Sequence, residues 1–421
     1  MREYFDALET RDPGERERTL CADLPRQIAY AKAHTSAFAK ILGEVDPAAI
    51  TSRAALAKVP VTRKSELLEI QMGQRPFGGF AATGTAGVGH GTGWANTRRV
   101  FASPGPIYEP EGARPDYWRL ARPLFAAGFR AGDLIHNCYS YHCTPAGSML
   151  ETGAHALGCA VFPGGTGQTE QQVQAMAELR PKGYVGTPSF LKIILAHADE
   201  HGVPLPSLTR ALFSGEAFLP ALREALTARG IHGYQVYASA DLGTIAYETT
   251  AHEGLVVDEG VMVELVRPGT GDPVAPGEVG EVVVTSLYNT DYPLIRFGTG
   301  DLSALLPGTS GCGRTNMRIK GWMGRADQTT KVKGMFVHPA QVAAILRRFP
   351  EITRARLVVD HSDGNDRMAL HVEVADGRTV ATEAIVAAMR DVTKLRGEVT
   401  LRQPGQLPND GKVIDDTRKF D

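Results

Sequence analysis

Charged side chains gather in four short segments bounded by turn residues. "YASADLGTIAYE" (237–248) follows a strand-like run and ends in acids, and "YPLIRFGTGDLSAL" puts Arg296 and Asp301 in a loop beside strands. "GWMGRADQTTKVKGMFVHP" concentrates Arg325, Asp327, Lys331, Lys333 and Gly334, and "LPNDGKVIDD" places Lys412 on a turn near the C-terminus. Carboxylates on turns can take a hard cation, and Lys and Arg can offset charge on oxygen. Singly, each segment also has an ordinary reading. An Asp in a "GDL" turn bonds its own backbone, a Lys after "DG" is solvated, and "GRAD" is a linker. The order in which they occur together carries more than any one of them.

Positioning these segments falls to an ordinary globular chain. It has 421 residues, 43% apolar and 22% charged, which is too long for one core and predicts two or more domains. A net charge of −2 without a basic run excludes a nucleic-acid footprint. No apolar stretch approaches a membrane span, and "MREYFDALETRDPGERERTL" is too charged for a signal peptide. Five scattered cysteines (Cys21, Cys138, Cys143, Cys159, Cys312) suit a reducing cytoplasm. The first hundred residues read as helices and loops, with helical spacing in "LPRQIAYAKAHTSAFAKIL". From about Asp116 to Thr285 helices alternate with short apolar runs, which predicts an α/β fold of helix-covered parallel sheets. "PGEVGEVVVTSL" reads as a more exposed strand. The last ninety or so residues form a compact α+β unit, with Pro339 opening a helix. The join falls near "MGRADQTTKVKG", giving domains of 1–326 and 327–421.

The order of the segments resembles the phenylacetate–CoA ligase branch of the adenylate-forming enzymes, over almost the whole chain. "PLIRFGTGDLSALLPG" is similar to that branch's "PLIRYRTGDL", and "GRADQTTKVKGMFVHPAQV" to "GRxDDxxxxRGxNVFPxQxE". "LPNDGKVIDDTRKF" is similar to "LPRSEGKAxRVxD", and "GGTGQTEQQVQAMAELRPKGYVGTPSFL" also runs parallel to it. The resemblance implies a carboxylate activated by ATP to an acyl-adenylate and passed to CoA, with a mobile C-terminal lid. Its partners are a small or aromatic carboxylic acid, CoA, ATP/AMP and Mg2+. A homodimer stays open.

Residue by residue, the resemblance gives Asp301 the ribose hydroxyls and Arg325 the ribose or phosphate. Asp327 is then the hinge acid, and Lys412 the catalytic lysine between carboxylate and α-phosphate. Gly334, beside Lys333, lines the tunnel for pantetheine. Ser214, Gly215 and Glu216 flank adenine, Tyr237 stacks on it, and Asp241 stands where the family binds magnesium. Ala240 replaces a hydroxyl residue there. Tyr139, Tyr141 and His142 form an aromatic acyl pocket, or else pack in the core. Some members carry zinc on a His and three Cys. This chain keeps His252 and Cys312 but has Ser310 in another place, so no zinc is expected.

Two stretches compete for the family's "SSGTTGKP" phosphate loop. "TGTAGVG" (83–89) has the better composition, while "SPGPIYEP" (103–110) has the better context, between "RRVFA" and "PDYWRLARPLFAAGF". On the second alignment Ser103, Gly105 and Pro110 survive. Pro104, Pro106 and Ile107 replace hydroxyl residues, and Glu109 replaces the lysine. Proline deletes backbone donors, and a carboxylate facing the nucleotide repels a triphosphate. Three readings follow: a working ligase with an unusual pyrophosphate site, another adenylate-forming-fold enzyme that does not cleave ATP efficiently, and a non-catalytic acyl- or nucleotide-binding protein. Retention of Lys412, Asp301, Arg325 and Asp327 favours the first.

Overall fold

The computed structural model describes residues 3–82, 94, 96–103, 106–267, 269–323, 326, 330–333, 335–337, 339–362, 365–375, 377–408 and 413–418. The chain separates into two compact units, Met1–Trp322 and Met323–Asp421.

The larger unit opens with a helix over Pro13–His34, with Asp12 as its cap and Pro13 at its first position. Leu20, Leu24, Ile28 and Ala31 recur at helical spacing and are buried. The helical pattern is not continuous through "HTSAF". Thr35 is extended and divides it: its hydroxyl donates to Ala31 O at 2.8 Å and accepts from Phe38 N at 3.2 Å, closing one helix and opening Ser36–Ile41.

Among the described residues the main sheet has twelve strands. Its parallel part runs Ala160–Phe162, Leu134–Asn137, Gly183–Gly186, Arg210–Phe213, His232–Ser239. Helices between these strands bury one stripe each. In Pro188–Glu200 the stripe is Leu191, Ile194, Leu195 and Ala198, and the Thr187 hydroxyl caps the first turn. Parallel pairing stops at His232–Ser239. Gly243–Tyr247 returns antiparallel beside it, and Val261–Val266, Val279–Ser286 and Phe297–Leu306 are antiparallel neighbours. The expectation of parallel sheets as far as Thr285 is thus corrected: the short turn between Ser239 and Gly243 cannot make a parallel pair, and the strands beyond it also pair antiparallel. Val279–Ser286 is buried at every position after Val279, not exposed, because it has a strand on each side.

The smaller unit has a four-stranded sheet in the order Glu398–Arg402, Asn365–Val374, Ile352–Ser362, Ile414–Asp416, with helices Pro339–Leu346 and Thr382–Thr393. Pro339 opens its helix as expected. Arg418 ties the strand Ile414–Asp416 to the strand Thr330–Val332, with Nε 2.8 Å from Asp416 Oδ1 and Nη2 2.9 Å from Thr330 Oγ1. No helix among the described residues is long and apolar enough to cross a membrane.

Candidate functional site

The carboxyl ends of the parallel strands collect the first candidates, the edge where open α/β sheets bind ligands. Ser214 follows Arg210–Phe213, and its carbonyl accepts from the Tyr139 hydroxyl at 3.2 Å. Gly215 has φ +81°, a left-handed backbone that glycine adopts without strain. Glu216 accepts from Ser189 N at 3.4 Å, at the start of the Pro188–Glu200 helix. Tyr139 itself is buried in the core, and burial raises its phenol far above the ordinary range. The Tyr141 hydroxyl accepts from Asn137 Nδ2 at 2.8 Å, and His142 is exposed. The three expected pocket residues therefore occupy three different settings.

Tyr237 and Asp301 lie 64 residues apart and meet. The Tyr237 hydroxyl donates to Asp301 Oδ2 at 2.8 Å, and Trp322 Nε1 donates to Oδ1 at 3.0 Å. Asp301 sits within the strand Phe297–Leu306 rather than in a loop. The two donors fix its carboxylate plane. Arg296 just before it is structural: it is 1% exposed, grips Glu264 with two bonds at 3.0 Å, and donates to Ala57 O and Gly271 O.

The second cluster surrounds Asp241, on the turn between His232–Ser239 and Gly243–Tyr247. That turn needs glycine at 243, where φ is +71° and a Cβ would lie 2.6 Å from Trp118 O. Asp241 is buried. Its Oδ2 pairs with Lys64, and among the described residues its Oδ1 has no hydrogen-bond partner. Lys64 is brought there by Thr62–Arg63, which pairs in parallel with Phe297 and Gly298 on the strand that carries Asp301. Nothing in the sequence marked Lys64. Its setting, "PVTRKSELL", is an extended run turning into a helix.

Glu109 completes this cluster and departs from expectation. Thr97–Ser103 and Ile107–Gly112 form an antiparallel hairpin, with Ser103 opposite Ile107. Alternation puts Ile107, Glu109 and Glu111 on one face, and all three are buried. Glu109 is 0% exposed and does not stand out toward solvent on a loop. Its carboxyl takes the Ser103 hydroxyl on Oε1 and the Ser103 N–H on Oε2 at 3.3 Å. Burial, then the neighbouring Asp241, pushes it up to about 8, against Lys64 and Ser103, which lower it. At neutral pH it is predominantly protonated, so the expected repulsion of a triphosphate by a free Glu109 charge is withdrawn. Outside this inner face, Gln71 clamps Tyr108, donating to its carbonyl at 2.9 Å and accepting from its N–H at 2.8 Å.

Gly105, Arg325, Asp327, Gly334, Lys412 and the rival loop 83–89 lie outside the described residues. Lys333 is exposed at φ +48°, and its N–H donates to Asp366 Oδ2 at 3.0 Å. At the zinc position, His252 Nδ1 lies 3.1 Å from Glu248 Oε1, and Cys312 Sγ accepts from Ser310 Oγ at 3.1 Å.

Residues 121–290 match the AMP-binding enzyme family, and residues 334–418 match the AMP-binding enzyme C-terminal domain. A phenylacetate-coenzyme A ligase of Thermus thermophilus is 30% identical, over 96% of each chain. The chain belongs to the phenylacetate–coenzyme A ligase family. The enzyme of that name from Escherichia coli is also 30% identical, over 78% of this chain and 75% of its own. A 2-hydroxyisobutyryl-CoA ligase, solved with an acyl-AMP and CoA, shares the fold with a TM-score of 0.80, covering 98% of this chain and 92% of its own at 23% identity. Asp241 falls within the matched residues 121–290, and Asp301 lies beyond them.

Proposed function

We propose that the protein is an AMP-forming acyl-CoA ligase that activates an aromatic or small carboxylic acid through an acyl-adenylate and transfers it to CoA. The observation that carries the reading is Asp301, oriented by Tyr237 and Trp322 beside the sheet edge that holds Ser214. A carboxylate oxygen accepts more than one bond, so an oriented Asp301 suits two ribose hydroxyls. Ser214, Gly215 and Glu216 would flank the adenine, with Tyr237 stacked against it.

In the first half-reaction a carboxylate oxygen attacks the α-phosphorus, and pyrophosphate leaves. Lys412 and Arg325 would offset charge on the oxygens, a role for a cation on a flexible stem and a planar guanidinium. A hard cation at Asp241 would have the buried Oδ1, which has no partner among the described residues, and would compete with Lys64 for Oδ2. Bound there, Mg2+ would neutralise phosphate charge. In the second half-reaction the CoA thiol attacks the acyl carbon and AMP leaves. The smaller unit would act as a lid on a hinge at Asp327, with Gly334 and Lys333 at the CoA path and the boundary between residues 326 and 327. The acyl acid would meet Tyr141 and His142 rather than the buried Tyr139. The five cysteines are free, which supports a reducing, cytoplasmic setting.

The reading is tested by incubating the protein with MgATP, CoA and a panel of aromatic and short acids while following AMP and thioester. Equimolar AMP and acyl-CoA with one acid class support it; nucleotide turnover without thioester refutes it.

A further inference from the structure

In 103–110, one of the two stretches that compete for the phosphate loop, the donors of Ser103 are already engaged. The Ser103 N–H and the Ser103 hydroxyl both go to one carboxyl, that of Glu109. This is not an exposed contact that a ligand brushes aside. Glu109 is 0% and Ser103 8% exposed, and strand pairing fixes both side chains on the inner face of one hairpin. Phe101, opposite Glu109, and Ile107, opposite Ser103, pack into the two cores of the unit. The neighbouring acid is occupied as well. Asp241, the acid suited to a divalent cation, already carries an ammonium, that of Lys64. The side chain of Asp241 is wholly buried and that of Lys64 is 25% exposed, so the lysine reaches in from the surface to the acid.

We propose that the pyrophosphate half of the nucleotide site is filled by the protein itself, Glu109 on the phosphate donors and Lys64 on the metal-binding acid, so that its preferred nucleotide is a monophosphate, AMP or an acyl-adenylate, rather than MgATP. The inference rests on the ligase reading and refines it. The two half-reactions need different parts of the site. Adenylation must seat three phosphates and expel pyrophosphate through the filled region. Acyl transfer needs none of it. The CoA sulfur bonds to the acyl carbon, the bond from that carbon to the phosphate oxygen breaks, AMP leaves with the electron pair, and the thiol proton passes to solvent. A protein arranged this way is proficient in the second step and poor in the first. It accepts a preformed acyl-adenylate, or runs backwards from acyl-CoA and AMP, without displacing any residue.

The test uses the full chain. AMP, ADP, ATP and pyrophosphate are titrated calorimetrically with and without magnesium chloride. Thioester formation is timed from synthetic phenylacetyl-adenylate and, separately, from phenylacetate with MgATP. Wild type should bind AMP at least as tightly as MgATP and should use the adenylate with kcat/KM at least about 100-fold higher. Glu109→Ala, which frees both Ser103 donors, should raise the ratio of ATP to AMP affinity by about tenfold or more. Lys64→Met should raise magnesium-dependent binding of ATP relative to AMP, a second route if Glu109→Ala does not fold. MgATP binding about tenfold tighter than AMP in wild type, with brisk thioester formation, would overturn the filled half-site and leave the ligase reading standing. Preference for AMP with no thioester from either donor would uphold the filled half-site and overturn acyl transfer. No binding of any adenine nucleotide would overturn both.

Discussion

Replacing Glu109 by Gln perturbs the site by one proton and almost no volume. The carboxyl has an ordinary value of 4.5 and is pushed up to about 8 in the folded chain, by burial first and Asp241 second. Below pH 4.5 folded and unfolded chains both hold the proton, and the folded state has its full stability. Between there and about 8 only the folded chain holds it, so stability falls as pH rises through that window. Each pH unit removes about 1.4 kcal/mol, and the whole window on the order of 5 kcal/mol. Gln carries no titrating proton and reproduces the protonated acid: its carbonyl can accept the Ser103 N–H, and its amide can donate to the Ser103 oxygen. Wild type and variant differ at this position alone, so titrating groups that do not interact with it cancel in their difference. Urea unfolding at pH 5, 7 and 8.5, followed by tryptophan fluorescence, reads it, since Trp118 is buried in the same unit. The two proteins should be close at pH 5, and Glu109→Gln should gain several kcal/mol on wild type, roughly the window above, by pH 8.5. A difference constant with pH, or one that favours wild type as pH rises, refutes the buried protonated carboxyl.

Lys412→Ala should slow adenylation by about three orders of magnitude, roughly 4 kcal/mol, while thioester formation from supplied acyl-adenylate persists; equal loss of both rejects its role. Tyr237→Phe removes the hydroxyl that orients Asp301 and should weaken AMP binding by about 1 kcal/mol, seen as a raised KM with kcat little changed. A fall in kcat alone would place Tyr237 elsewhere in the mechanism. Arg314→Ala strands the buried Glu9 carboxylate, which also takes the Tyr247 hydroxyl, and should cost about 3–5 kcal/mol in urea unfolding. A loss under 1 kcal/mol, roughly that of an exposed pair, would mean the pair is not desolvated in solution.

What the sequence made legible was local. The run "PLIRFGTGDLSAL" reads as a loop beside strands and not as the strand it forms, yet the family resemblance carried by neighbours within a few residues singles out Asp301. The helix stripe Leu191, Ile194, Leu195, Ala198 is equally local. Lys64 and Asp241 are 177 residues apart, and no spacing rule joins them; only the parallel pairing of Thr62 with Phe297 brings the lysine in. Glu109 failed for a different reason. Its period-two pattern with Ile107 and Glu111 was on the page, but acids at inward positions of a strand break the usual polarity, and the segment read as a loop. The same limit applies to Val279–Ser286, whose two flanking strands, and hence its burial, are set by non-local pairing. Asp116 follows the rule that turn acids serve the backbone. Its Oδ1 accepts from Leu120 N at 2.7 Å, and it precedes the Ala121–Ala126 helix.

The most direct test of the account as a whole is the stoichiometry of a single turnover with synthetic phenylacetyl-adenylate and CoA, quenched and resolved by chromatography. The account predicts one acyl-CoA and one AMP per adenylate consumed, with no requirement for ATP. Hydrolysis of the adenylate to free acid at the rate seen without protein, with no thioester formed, would contradict it.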